Sequence, residues 1–146
     1  MDTQQVLPLS PAIFEAWLAK YEYTSPRQEG NRYFLSFSYD DQTDCQLEYS
    51  IIVGEGEHAM LSARGFSDKR FKSADRSEIL ELINEFHDNH RWPLLRLRHQ
   101  GRRLNIDTSL DVDLSSGVHF ELFDDILGRF MWSTYEFWKF VLAKGL

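Results

Sequence analysis

Cysteine is nearly absent from this chain. One residue, Cys45, excludes an intrachain disulfide framework and any cysteine-based zinc site. No apolar run reaches the roughly 20 residues that a bilayer demands of a helix, so no membrane partner is expected. The opening MDTQQVLPLS has neither a basic n-region nor an apolar core, so no secretory signal is expected and the cytoplasm is the default address. Repeats, low-complexity tracts and linker-like stretches are missing, which predicts one domain over residues 1–146. Catalytic signatures are scarce as well. There is no HExxH pair and no strand–Gly-x-Ser-x-Gly–helix elbow. The Gly54 and Gly56 pair lies in GEGE, where the acids would repel a phosphate.

Positive charge is also short. Sixteen Lys and Arg face 23 Asp and Glu, a formal net charge of −7. That balance opposes long-range attraction to nucleic acid or to an anionic membrane, so no nucleic-acid partner is expected. What the chain has in quantity is aromatic: 11 Phe and 4 Trp promise a core built from large pieces rather than a disordered regulator.

The periodicities order themselves as α-β-β-β-α-β-β-α. Ser10-Pro11 has the form of a helix start, and Ile13, Phe14, Trp17, Leu18 and Tyr21 follow at helical spacing. The cluster from Ser25-Pro26 to Gly30-Asn31 reads as a loop. Tyr33, Leu35, Phe37 and Tyr39 alternate as a strand; DDQTD is a turn, and Leu47, Tyr49, Ile51 and Val53 alternate again. A weaker strand is predicted from His58 to Phe66 after a GEGE hairpin. Asp75 with Glu78 has the form of a capping box before a helix carrying Ile79, Leu80, Ile83 and Phe86 and ending near Asn89. Leu94 to Asp107 reads as a hairpin turning at Gln100-Gly101, which sets Leu97 opposite Leu104 and Arg98 opposite Arg103. A long final helix presents Leu122, Phe123, Ile126, Leu127, Phe130, Thr134, Phe137, Trp138 and Val141 on one broad side, with Trp132 and Tyr135 outside it. The fold class is therefore α+β: a five-stranded antiparallel sheet with helices packed on it.

Candidate chemistry is thin. His87 and His90 stand three apart near a helix end, where cations interact favourably with the dipole, and no third ligand is in view, so capping is preferred to metal. Cys45 has Asp44 and Gln46 beside it, which would not activate a thiol. Asp111 and Asp113 share a side of an extended segment and read as a solvated edge. No catalytic, metal or cofactor residue is assigned. The basic hairpin is the one surface feature above background. Arg96, Arg98 and Arg103 form a basic hairpin face, either paired with the chain's own carboxylates or open to an anionic partner. Trp132 and Tyr135 have the character of interface anchors.

The block INEFHDNHRWPLLRLRHQGRRLNIDTSLDV resembles the YbjN family of bacterial sensory-transduction regulators. The matching features are Asn84, Asn89-His90-Arg91, Pro93, Gly101 and Asp107. The resemblance follows the element order over roughly residues 10–142 and is specific in 83–113. It implies a fold similar to type III secretion chaperones, usually a homodimer, and it supplies no catalytic residue. The expected function is a non-catalytic regulatory or chaperone-like protein-binding domain. The alternative is a regulator that captures an anion or small ligand with Arg96, Arg98 and Arg103.

Overall fold

The computed structural model describes residues 4–24 and 26–146. The first three residues of the opening stretch, and Ser25 of the expected loop, lie outside them. In chain order β1 is Val6–Leu7, α1 Pro11–Lys20, β2 Arg27–Glu29, β3 Arg32–Asp40, β4 Cys45–Val53, β5 Met60–Ser67, β6 Phe71–Lys72, α2 Arg76–Asn89, β7 Leu94–Gln100, β8 Arg103–Asp113, β9 Val118–His119 and α3 Phe120–Ala143. This is an α+β fold with three helices and a large antiparallel sheet.

The sheet has seven strands rather than the expected five, and β1 with β9 forms a separate two-stranded pair. The additions are short strands with no alternation to betray them. β2 is Arg-Gln-Glu, all exposed, in the segment expected to be loop; it is a strand only because it pairs with β3. β6 has two residues. β8 organises the rest. Its Leu104 pairs with both Phe71 and His99, and its Thr108 with both Gly65 and Leu95, so β5 and β6 share one edge of β8 while β7 takes the other. β8 continues to Asp113, beyond the expected end at Asp107, because its second half is β5's partner.

The β7–β8 register also departs from expectation. Gln100 pairs with Arg103, Arg98 with Asn105, Leu97 with Ile106 and Arg96 with Asp107. The loop is Gly101-Arg102 instead of Gln100-Gly101, since the positive φ of 64° falls at Gly101. A two-residue hairpin loop with glycine at its first central position satisfies that geometry. The correction moves each partner by two positions, so the apolar face survives and Arg98 no longer opposes Arg103. Elsewhere the GEGE hairpin contains a short 3-10 turn, Gly56–His58, which delays β5 to Met60.

The odd-numbered residues of β3 and β4 face the helices, with Tyr33, Leu35, Leu47, Tyr49, Ile51 and Val53 buried. α3 crosses this face centrally and buries the expected stripe except Leu122, which is exposed. α2 buries Leu82 with Ile79, Ile83 and Phe86, and leaves Leu80 exposed. Neither Ser10 nor Asp75 makes a side-chain cap; at α3 the Nδ1 of His119 accepts from the Leu122 N–H at 3.0 Å.

α1 packs on β3 and on the start of α3. Phe14 sits between Tyr33 of β3 and Phe123 of α3, at 4.5 and 6.4 Å between ring centroids. Asp124 fastens the two helices, accepting from Trp17 Nε1 at 3.0 Å, Lys20 Nζ at 2.6 Å and Tyr21 Oη at 2.6 Å. Burial pushes the Asp124 carboxyl up, but the hydrogen bonds from Lys20, Tyr21 and Trp17 outweigh it and hold the group below the ordinary aspartate range. A carboxyl depressed in the folded state stabilises fully above the unfolded value, about 3.9, and that contribution fades as pH falls through the lower folded value. Asp124→Ala should therefore cost about 1–3 kcal/mol at neutral pH by stranding the buried indole N–H. The gap from wild type should shrink on acidification below about pH 4. Urea denaturation at pH 7 and pH 3 checks both.

Candidate aromatic groove and basic hairpin

α1 spans about 15 Å and α3 about 36 Å at 1.5 Å per residue. β3 and the flank of α3 bound a trough, and α1 fills only its first half. On the other flank α2 meets the C-terminal half of α3, through Phe86 against Phe137 at 5.1 Å and Phe140 at 5.4 Å. The helical layer is therefore left open past the end of α1, above the C-terminal part of β3 and the N-terminal part of β4.

That opening is a groove of about 710 Å³. Its sheet side is formed by Phe37, Tyr39, Cys45, Leu47 and Tyr49, and its helix side by Gly128, Met131, Trp132, Tyr135 and Lys139. The helical members recur at steps of three and four, which places them on one face of α3. Trp132 is 62% exposed and stacks on Tyr135, with centroids 5.7 Å apart and planes 24° apart. The Tyr135 hydroxyl donates to Asp40 Oδ2 at 3.3 Å, and Lys139 Nζ lies 5.8 Å from its ring centroid. Thr43 and Cys45 are buried in the sheet side, so the thiol is covered.

The groove rim is acidic. Partial burial first, and then the Asp40 carboxylate, push the Tyr135 phenol up. The hydrogen bond to Asp44 Oδ1, at 2.7 Å, does the same to Tyr39. Lys69 is engaged with Asp44 and Lys139 with Glu136, at 3.4 and 3.7 Å. Asp40 and Asp41 have no ion pair among the described residues.

The basic hairpin lies on the other face of the sheet, and β8, β5 and β4 separate β7 from β3. Arg96 and Arg98 converge on one carboxylate, Asp107, whose Oδ2 is 3.5 Å from Arg96 Nη2 and 3.0 Å from Arg98 Nη1. Asp107 is 1% exposed although it faces away from the helices. Its Oδ1 and Asn105 Oδ1 are buried without hydrogen-bond partners among the described residues. The buried carboxylate draws both guanidinium groups inward and cancels half of their charge, so this is a partly compensated patch rather than a cradle. Arg103 stands apart at the hairpin end, exposed and without an ion pair among the described residues. Reversing Arg98 would set a carboxylate against Asp107, so Arg103 is the cleaner probe of this surface.

His87 and His90 serve structure. His87 Nε2 accepts the Leu95 N–H of β7 at 3.2 Å, while His90 stacks on Phe86 at 3.9 Å. Asp111 takes both Arg64 guanidinium nitrogens at 3.2 Å. Among the described residues no three His, Cys, Asp or Glu side chains gather as a metal-ligand set, and no helix is long and apolar enough to cross a membrane.

Of the five residues singled out by sequence, the structure unites Trp132 with Tyr135 and Arg96 with Arg98, and does not bring the two groups together. The sheet side of the groove escaped the sequence reading because Phe37, Leu47 and Tyr49 have the pattern of ordinary core residues. Gly128 was the available signal, a residue without a side chain one turn before Met131 and Trp132. No protein-family model matches the chain, and no curated protein matches it either.

Proposed function

We propose that this chain is a non-catalytic, cytoplasmic regulatory or chaperone-like domain that acts by binding protein, in keeping with its resemblance to the YbjN regulators. The observation that carries this reading is the open aromatic groove with the Trp132–Tyr135 stack at its mouth. A concave apolar surface edged by a few polar groups is the usual form of a binding site, and exposed Trp and Tyr are common interface anchors. Anion capture by the hairpin has less support, since the Asp107 carboxylate already bridges Arg96 and Arg98 and cancels half of their charge.

The proposal includes the homodimer that the resemblance implies. β7 is an edge strand, but two-fold antiparallel pairing of β7 with its copy would set arginines against arginines, which is unfavourable. The dimer would use another surface.

Affinity purification from the native cell, followed by reconstitution with the purified partner, tests the protein-binding reading. The expected result is a partner that binds wild type directly and loses at least about tenfold in affinity with Trp132→Ala, as for an interface hot spot. Thermal stability should be nearly unchanged, because Trp132 is exposed. Recovery of no directly binding partner would end the reading.

A further inference from the structure

We infer that the open half of the trough takes an amphipathic helix of a protein partner, with apolar anchors on one side and lysine or arginine along its margin. This rests on the protein-binding reading above and names its site and the partner's chemistry.

The shape argument begins with α1. It is an amphipathic helix already lying in this trough, with Phe14 wedged between β3 and α3. The chain leaves the trough at Tyr21 and Glu22, where Glu22 has a φ of 58°. Tyr23 then folds edge-on against Phe37 at 6.1 Å and closes the filled half. Beyond it, Gly128 to Lys139 of α3 runs about 17 Å, the length of three helical turns. A helix laid end to end with α1 fits that length. Its anchors at i, i+3, i+4 and i+7 would meet Phe37, Leu47, Met131 and Trp132, the usual pattern of helix-in-groove recognition.

Charge selects the occupant. Asp40 and Asp41 are the rim carboxylates left without a cation among the described residues, and both lie at the Tyr135 end. Lys139, resting over the Tyr135 ring, shows that this aromatic wall accommodates an ammonium group. A second copy of this chain does not supply the required helix. α1 carries one Glu and one Lys, α2 sets Arg76 against Glu78, Glu81, Glu85 and Asp88, and α3 sets Arg129 and Lys139 against Glu121, Asp124, Asp125 and Glu136. Its helices are neutral or acidic, and its basic segment is a β-hairpin.

The test uses the full chain and three synthetic peptides of about 14 residues. One carries Leu at i, i+3, i+4 and i+7 with Lys elsewhere, one is the same with Glu for Lys, and one is a scramble of the Leu/Lys composition without amphipathicity. Acrylamide quenching of Trp132, which is exposed where Trp17 and Trp138 are buried and Trp92 is half-buried, reports occupancy, and calorimetry gives affinity. The expected result is that the Leu/Lys helix binds at least about tenfold tighter than either control and protects Trp132. Its binding should weaken at least about tenfold in Asp40→Asn/Asp41→Asn and in Gly128→Leu. Gly128→Leu fills the groove from a position where a Cβ meets nothing within 4 Å, so its melting temperature should not fall. Trp132→Ala serves as a second blocking variant should Gly128→Leu misfold.

Equal binding of the helix and the scramble, or full affinity in the blocking variants, would overturn the proposal. So would preference for the Leu/Glu helix with loss in Arg103→Glu, which moves the partner site to the hairpin and leaves the protein-binding reading standing. Sedimentation showing a dimer that Gly128→Leu dissolves would make a second copy the occupant and overturn it too. If no peptide binds and no native partner is recovered, both proposals fall.

Discussion

Replacing Gly65 by alanine is expected to cost about 2–3 kcal/mol, and by valine more than about 3 kcal/mol, as overpacking of a closed core does. Gly65 lies on β5 between Tyr49 of β4 and Thr108 of β8, beneath α3. A Cβ there would stand 2.3 Å from Thr108 Oγ1, 3.2 Å from Thr134 Cγ2 and 3.4 Å from Tyr49 Cε1. The nearest of these cannot simply swing away, because Thr108 and Thr134 share a buried hydrogen bond of 2.9 Å between sheet and helix. Either the sheet bends or α3 lifts. Gly128→Ala is the counterpart on the same helix, with open space at the Cβ. It should stabilise by about 0.5–1 kcal/mol, since glycine within a helix costs that much relative to alanine. Thermal denaturation of the two alanine variants should therefore move in opposite directions. A neutral Gly65→Ala would mean that the Thr108–Thr134 pair yields readily above β5.

That contact explains what the sequence could and could not show. Val, Ile, Leu and Tyr alternating along β3 and β4 reveal a one-faced sheet, and the stripe from Phe123 to Val141 reveals the helix that covers it. Gly65 only weakened the strand assignment, because its lack of a side chain matters solely through what lies above it. β2 and β6 were invisible for a different reason: two or three residues cannot establish a period, and only their neighbours make them strands. The hairpin register turned on which central loop residue held the positive φ, and the residues alone left that choice to Gly101's position in the turn.

The candidate site was legible by residue and not by place. Trp132 stood off the buried stripe of its own helix, which correctly put it outside the core. Its partners on β3 and β4 had no distinguishing pattern, because Phe37 and Tyr39 at the end of β3, and Cys45 and Leu47 at the start of β4, continue the alternation of the core residues farther along each strand. The difference arises from helix length: ten residues of α1 stop short, and the same alternation that is core beside Tyr33 becomes groove beside Phe37. The basic hairpin left two readings open, and Arg96 and Arg98 follow the one in which they pair with the chain's own carboxylates. Arg96 and Arg98 stood out by their charge, while their compensation came from Asp107, whose opposition to Arg96 required the corrected register.

Trp138→Ala is expected to cost about 3–5 kcal/mol, the usual range for removing a large buried aromatic side chain. Trp138 is fully buried in α3, stacked on Phe71 of β6 at 6.3 Å and edge-on to Phe137 at 5.2 Å. Because β6 has two residues, that aromatic stack is a principal tertiary support for it. The loss should lower the melting temperature by roughly 6–20 °C for a chain of this size. Trp138→Phe should behave differently. The indole Nε1–H is buried without an acceptor among the described residues, and an unmade hydrogen bond of that kind costs about 1–3 kcal/mol. Phenylalanine gives up volume but also removes that unsatisfied donor, so it should fall within about 1 kcal/mol of wild type, the two effects being of similar size and opposite sign. Urea denaturation of both variants separates the contributions. A Trp138→Phe loss as large as that of alanine would show that a phenyl ring cannot replace the packing of the indole between β6 and α3.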